Sequence, residues 1–255
     1  MLDVKDKGVL LTGAKRVGRV IASRLARDGV RLVIGYRNSR QGAEALRSEL
    51  AAQGTTAYLV QGDLSIEEDV KRMVSEASDV LGGLHFAINL ASGFPRTPFE
   101  TLDGQVWDTS MADAKGSYLF ALHASRTMMR NPGPTRGHIV LFSDAWVNQT
   151  PYWDYLPYLT AKAAIDFLSR VFAVELAPYG ILVNAVAPGP TMRPPGISDD
   201  IWRDEVLSRT PLKRESAPED IAEVVAALLK TESITGETIR VDAGVHLAGS
   251  GPKEA

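Results

Sequence analysis

Tyr158 and Lys162 stand four residues apart in the stretch LPYLTAK. On a helix that spacing puts a phenol and an ammonium on one face. A cation beside a phenol favours the phenolate and draws its pKa toward neutrality, which suits an acid that protonates a carbonyl. In a chain with seven tyrosines the pair alone could be a coincidence of packing. It becomes chemistry only beside a cofactor site and a substrate pocket.

A phosphate site is expected at Thr12-Gly13-Ala14-Lys15-Arg16-Val17-Gly18, where a first apolar run (Gly8 to Leu11) turns into a helical pattern. Gly13 can make the tight turn and Gly18 permits close approach at the helix start. The helix N-terminus then offers free N–H groups and the positive end of a dipole. Arg16 stands where a glycine is common, so the GxGxxG spacing is not met. The second strand ends Gly35-Tyr36-Arg37-Asn38-Ser39. An NAD site usually carries Asp or Glu there for the ribose hydroxyls. This chain has none, and Arg37 and Ser39, assisted by Lys15 or Arg16, suit a 2′-phosphate. NADP(H) is therefore the expected cofactor. Asp63, followed by Leu64 after the third strand, could meet the adenine amino group or be a plain acid at a helix start.

Positioning these groups takes a repeating frame. Strands are expected at Gly8–Leu11, Leu32–Ile34, Thr56–Val60, His85–Leu90, Ile139–Phe142, Leu182–Val186 and Thr238–Val241. Helices fall between them: Val17–Asp28, Gln41–Ala52, a segment reaching Leu81, Asp103–Met129, Leu156–Leu176 and Ile221–Leu229. Ser65 with Glu68, and Ser216 with Glu219, have capping-box spacing. This alternation specifies an α/β fold: a Rossmann-like, three-layer single domain over residues 1–255 with a seven-stranded parallel sheet. Residues 190–215 break the rhythm and read as a mobile substrate loop or a surface excursion. The tail 249–255 reads as frayed.

Bulk composition narrows the classes. Net charge is −3 with scattered basic residues, which argues against a nucleic-acid partner. There is no cysteine, and the four histidines lie far apart, so no metal site is expected. No apolar run approaches the roughly 20 residues of a membrane span. A cytoplasmic protein acting on a small molecule is the expectation.

Thr12-Gly13, Asn89-Leu90-Ala91, Tyr158-Leu159-Thr160-Ala161-Lys162, Asn184 and Pro188-Gly189-Pro190-Thr191 occur in this order. As a set they resemble the short-chain dehydrogenase/reductase family across residues 7–248. The resemblance implies that Asn89 and Ala91 line the cofactor path, with Pro188 and Gly189 leading to Thr191 on the nicotinamide carboxamide. It implies that Lys162 binds the nicotinamide ribose and that Tyr158 protonates the substrate oxygen. It also implies a homotetramer, or a dimer, joined through helices at about 105–130 and 158–177. Arg16, Ser92-Gly93-Phe94 and Asp144-Ala145 followed by Asn148-Gln149 are similar to the pteridine reductase branch. There Asp144 would stand in for the usual Ser, Phe94 would stack a pterin on the nicotinamide, and Arg16 and Ser92 would bind near pterin and phosphates. Asp144 lies fourteen residues before Tyr158 where the family spacing is thirteen, and Tyr152-Trp153-Asp154-Tyr155 contains room for the extra residue. Ser143 is the other candidate, turned off the site by strand alternation. The relay position on the fourth helix falls on Asp113, or on Ala114 if counted from Trp107-Asp108.

Three functions follow. The first is an NADPH-dependent reductase of C=O or C=N bonds acting on a pterin or dihydrofolate-like ring. The second keeps the chemistry but takes 3-oxoacyl thioesters, quinones, sugars or small ketones. The third is a non-catalytic NADP(H)-binding sensor on the same fold.

Overall fold

The computed structural model describes residues 1–147, 149, 151–194 and 196–248. Seven parallel strands form one sheet in the order β3-β2-β1-β4-β5-β6-β7. They are β1 (Gly8–Thr12), β2 (Arg31–Tyr36), β3 (Ala57–Gln61), β4 (Phe86–Asn89), β5 (Gly137–Phe142), β6 (Ile181–Pro188) and β7 (Thr238–Val241). The helices are α1 (Val17–Arg27), α2 (Arg40–Ala52), α3 (Glu67–Leu81), α4 (Gly104–Met128), α5 (Leu156–Leu176), α6 (Asp199–Ile201) and α7 (Pro218–Lys230).

The central strands are apolar runs because both faces of the sheet are covered, as parallel sheets require. Side chains still alternate. Val9, Leu11, Val140 and Phe142 join Ile21, Leu25, Leu46, Ile221 and Val225 in the core under α1, α2 and α7. Leu10, Ile139 and Leu141 face the other way, into the core under α3, α4 and α5 with Val70, Phe120 and Ile165. The chain works outward through β2 and β3 from β1, then returns to place β4 on the opposite side of β1. That switch leaves a crevice at the carboxyl ends of β1 and β4, where open α/β sheets bind ligands.

Helix ends show where local patterning succeeded. Asp103 caps α4, its Oδ1 accepting the Val106 N–H at 2.8 Å. Gly82 ends α3 in the left-handed region (φ 65°). The two capping boxes do not form. Ser65 donates instead to Asp63 Oδ1 at 2.7 Å, and α3 begins after Ile66. Ser216 Oγ is buried without a partner, and α7 begins at Pro218, whose fixed φ suits a first turn. The break at 190–215 is not wholly irregular: α6 and the helical turns that follow run to Arg209, with Trp202 buried among them. Asn148 and the tail 249–255 lie outside the described residues.

His138 on β5 is 1% exposed, with its ring 5.6 Å from that of Phe86. Neither ring nitrogen has a hydrogen-bond partner. Burial pushes its pKa down to about 4 against a weaker upward pull from Glu232. The unfolded chain takes up the proton near pH 6.5 and the folded chain resists until about pH 4, so stability falls as pH drops through that window. Urea denaturation is expected to show a loss of up to about 3 kcal/mol between pH 7.5 and pH 4 from this residue. A His138→Phe variant should lack that component; an unchanged pH dependence would refute it.

Candidate active site

The crevice opens into one cavity of about 1920 Å³, running from the turn after β1 to the segment around Trp202. Among the residues expected to touch cofactor or substrate, all but Asn89 line it. Asn89 was expected on the cofactor path, but it is 3% exposed and its amide is spent inside the protein. Its Oδ1 accepts from Thr12 Oγ1 at 2.7 Å and from the Ala91 N–H at 3.0 Å, while Nδ2 donates to Ser117 Oγ at 3.0 Å. It ties β1, β4 and α4 together beneath the cleft. Asn184 behaves likewise, bridging Ile234 O and the Glu237 N–H.

The turn after β1 is built for close approach. Gly13 has φ 75°, and a Cβ there would lie 2.5 Å from both Ala91 N and Leu90 C. The short turn leaves Arg16 at the N-cap of α1 with φ 48° and ψ −113°, a costly conformation for a side-chain-bearing residue. No side chain caps that helix end, which suits a phosphate there. The Arg16 guanidinium crosses to the carbonyls of Thr191 (3.4 Å) and Met192. At the end of β2, Tyr36, Arg37, Asn38 and Ser39 line the cavity with Lys15 and Leu64. Arg37 Nη1 lies 3.4 Å from Asp63 Oδ2. Burial would raise the Asp63 pKa, but the bonds from Ser65 and the Arg37 charge outweigh it and hold it low.

Deeper in the cleft, Tyr158 donates its hydroxyl to Asp144 Oδ2 at 2.9 Å. Asp144 Oδ1 accepts the Trp146 N–H at 2.9 Å. Lys162, from one turn further along α5, donates Nζ to Phe142 O at 2.9 Å and sits 5.8 Å from the centre of the Tyr158 ring. Ser143 turns away, its Oγ donating to Lys162 O at 3.4 Å. The expected lowering of the Tyr158 pKa by Lys162 is not met here. Burial pushes the phenol well up, and Asp144 adds to it. Burial likewise pushes Asp144 up and Lys162 down. Desolvation thus works against charge on all three groups. Asp113 hydrogen-bonds to the loop after β4. Its Oδ2 accepts Ser92 Oγ and the Gly93 N–H, each at 2.9 Å, and so pins that loop.

That loop carries Phe94, whose ring stacks on Tyr155 (4.5 Å) and meets Tyr158 edge-on (4.9 Å). In the stretch before Tyr158 that holds the extra residue, Asp154 lies in the left-handed region at φ 67°. Arg96 clamps Asp154 Oδ2 through Nε (2.9 Å) and Nη2 (2.6 Å), and the Asp154 carbonyl accepts the Thr97 N–H at 2.6 Å. Tyr152 brings a second phenol to within 3.4 Å of Asp144 Oδ2. Sequence reasoning missed Tyr152, Arg96 and Asp154. The one-residue surplus marked the segment, but no local pattern joins Arg96 to a partner 58 positions away.

An enoyl-(acyl carrier protein) reductase family model matches residues 13–246. The 3-oxoacyl-[acyl-carrier-protein] reductase FabG of Staphylococcus epidermidis is 32% identical over 248 residues, covering 95% of this chain and 100% of that protein. A short-chain dehydrogenase from Burkholderia cenocepacia J2315, solved with NADP, superposes with a TM-score of 0.87 at 28% identity, covering 96% of this chain and 99% of that one. FolM alternative dihydrofolate reductase 1 from Brucella canis, also complexed with NADP, gives a TM-score of 0.87 at 32% identity with 99% of each chain covered. The chain belongs to the short-chain dehydrogenase/reductase family, and it is an oxidoreductase. Neither the family match nor these relatives single out the pteridine reductase branch.

The turn geometry is testable by substitution. Gly13→Ala should destabilise by about 1–3 kcal/mol, because the new methyl meets backbone atoms at a positive φ. Gly93→Ala, whose Cβ would find nothing nearer than 3.5 Å, should change urea stability by less than about 0.5 kcal/mol. Equal effects would refute the close-approach role of Gly13.

Proposed function

We propose that the protein is an NADPH-dependent reductase of a polarised C=O or C=N bond, with Tyr158 as the proton donor. The observation that carries this reading is the Tyr158 hydroxyl on the half-buried Asp144 carboxyl, with Lys162 behind it, opening on the same cleft as the turn at Gly13. The cofactor fits what is there: a glycine turn with no room for a side chain, an uncapped helix end, and a β2 terminus with Arg37 and Ser39 but no acid. Lys15, Arg16, Arg37 and Ser39 would hold its phosphates. Ala91, Pro188, Gly189 and Thr191 would line the nicotinamide side, and Lys162 would bind the ribose. Bound NADPH supplies the hydride. Tyr158 then holds the proton for the substrate heteroatom, and Lys162 offsets the charge left on the phenol.

The curated relatives favour carbonyl reduction, of 3-oxoacyl thioesters in particular, over the narrower pterin expectation. The pterin reading stays as a second one on a specific observation. The acid partner is a carboxyl, and Phe94, half-exposed on the cavity wall, is edge-on to Tyr158 and brings an aromatic ring beside the proton donor. The Brucella canis structure is similar along the whole chain and supports it. A sensor without activity would need none of the Tyr158, Lys162 and Asp144 assembly.

NADPH turnover is expected with either a 3-oxoacyl thioester such as acetoacetyl-CoA or a dihydropterin, measured at 340 nm. Tyr158→Phe should lower kcat by about 100-fold or more. Turnover left intact in that variant would sink the mechanism. Arg37→Glu should weaken NADPH binding about 10-fold or more relative to NADH; an unchanged ratio would remove Arg37 from the phosphate site.

We also propose a cytoplasmic homotetramer, or a dimer, through α4 and α5. Tyr118, Phe167 and Val174 are exposed apolar residues on those helices, Val174 at 76%. Val174→Glu should shift the mass in light scattering to a smaller species; an unshifted mass would exclude that face. Among the described residues no helix is long and apolar enough to cross a membrane.

A further inference from the structure

We propose that Tyr152 is a positioning residue for proton delivery: its phenol shares Oδ2 of Asp144 with Tyr158 and keeps that carboxyl aimed and compensated while Tyr158 turns its proton to the substrate. This rests on the proton-delivery reading above. Oδ1 is occupied by the Trp146 N–H at 2.9 Å. Oδ2 has two lone pairs and two phenols before it, Tyr158 at 2.9 Å and Tyr152 at 3.4 Å. The longer contact is at the outer limit of a hydrogen bond, and such bonds tighten in the working complex. The Tyr152 ring is held on three sides, edge-on to Trp146 (5.7 Å) and Tyr155 (5.0 Å) and tilted against Phe94 (6.4 Å). Packing that close leaves its hydroxyl little choice of direction.

The need for a second donor follows from burial. When the Tyr158 hydrogen turns to a substrate, Oδ2 of the half-buried Asp144 loses its nearer donor. A carboxylate withdrawn even partly from solvent and left short of a donor is costly. Tyr152 remains on the same oxygen. The other charges and titratable groups facing this pair are Lys162 from α5, Asp113 from α4 and Tyr155 from the loop before α5. Lys162 is committed to Phe142 O, and Asp113 to Ser92 and Gly93. Burial raises the Asp144 pKa, and the bonds from Trp146, Tyr158 and Tyr152, with the Lys162 charge, pull against it. Removing the Tyr152 hydroxyl therefore lets Asp144 hold its proton to higher pH.

The test is Tyr152→Phe, which keeps the ring and its packing. Carboxyl carbon-13 NMR of Asp-labelled protein, with the Asp144 signal assigned by its loss in Asp144→Asn, should show the Asp144 midpoint raised by about half a pH unit or more. The limb of kcat against pH that reports the same group should move upward by the same amount, with KM for NADPH unchanged. In the Asp144→Asn background that limb should be absent, and Tyr152→Phe should cause no further change in kcat. An unmoved midpoint overturns the proposal, as does an equal loss of activity in both backgrounds. The NMR arm needs no substrate, so failure of the substrate panel and failure of the Tyr152 role are separate results.

Discussion

The structure turns on drawing three ionisable groups together at the inner wall of the cleft, Tyr158 and Lys162 buried and Asp144 half-buried. Each is pushed toward its neutral form by burial. Isolated, any of them would be a liability there. Together each polar atom has a partner: phenol on carboxyl, carboxyl on the Trp146 N–H, ammonium on the Phe142 carbonyl. The end of β5 and the first turns of α5 are therefore fixed relative to each other to within hydrogen-bond tolerance. A raised phenol pKa without cofactor fits an acid that keeps its proton until a reaction demands it.

Holding that corner requires the loops around it to be tied down, and each tie is made by a polar group at long range. Asp113 pins the segment after β4. Arg96 clamps Asp154 and so joins the Phe94 loop to the segment before α5. Arg16 reaches over to the segment after β6, where Glu215 accepts from Met192 N at 3.3 Å and from the Trp202 indole. Three loops from different strands thus close on one cavity while the sheet beneath provides a rigid floor. Function on loops carried by a stiff scaffold is the usual division of labour in such folds.

The relatives and the local chemistry bear on different questions. Similarity along 95% of the chain to a 3-oxoacyl reductase fixes the family and the oxidoreductase class. It says little about the few side chains that choose a substrate, because those sit in loops that vary while the frame persists. A carboxyl beside the phenol and an aromatic ring packed edge-on to it mark this site, and they set the substrate question in terms of ring or chain.

The strand-helix alternation, the parallel sheet, the two-faced core and the meeting of Tyr158 with Lys162 were legible in the sequence, because period and spacing are local properties that chain geometry converts directly into faces. So was the acid-free end of β2. What the sequence could not decide was set by contacts between distant segments. Asn89 turned inward because Thr12 and Ser117 surround it. Ser65 and Ser216 gave up their caps because a nearby carboxylate and a proline offered a different start. Within the fourteen-residue spacing a left-handed Asp154 is gripped by Arg96, and a second phenol, Tyr152, reaches the same Asp144 oxygen as Tyr158. The sign of the Tyr158 shift also belonged to the tertiary structure, since burial depth and the nearness of Asp144 outweigh the lysine four residues along the helix.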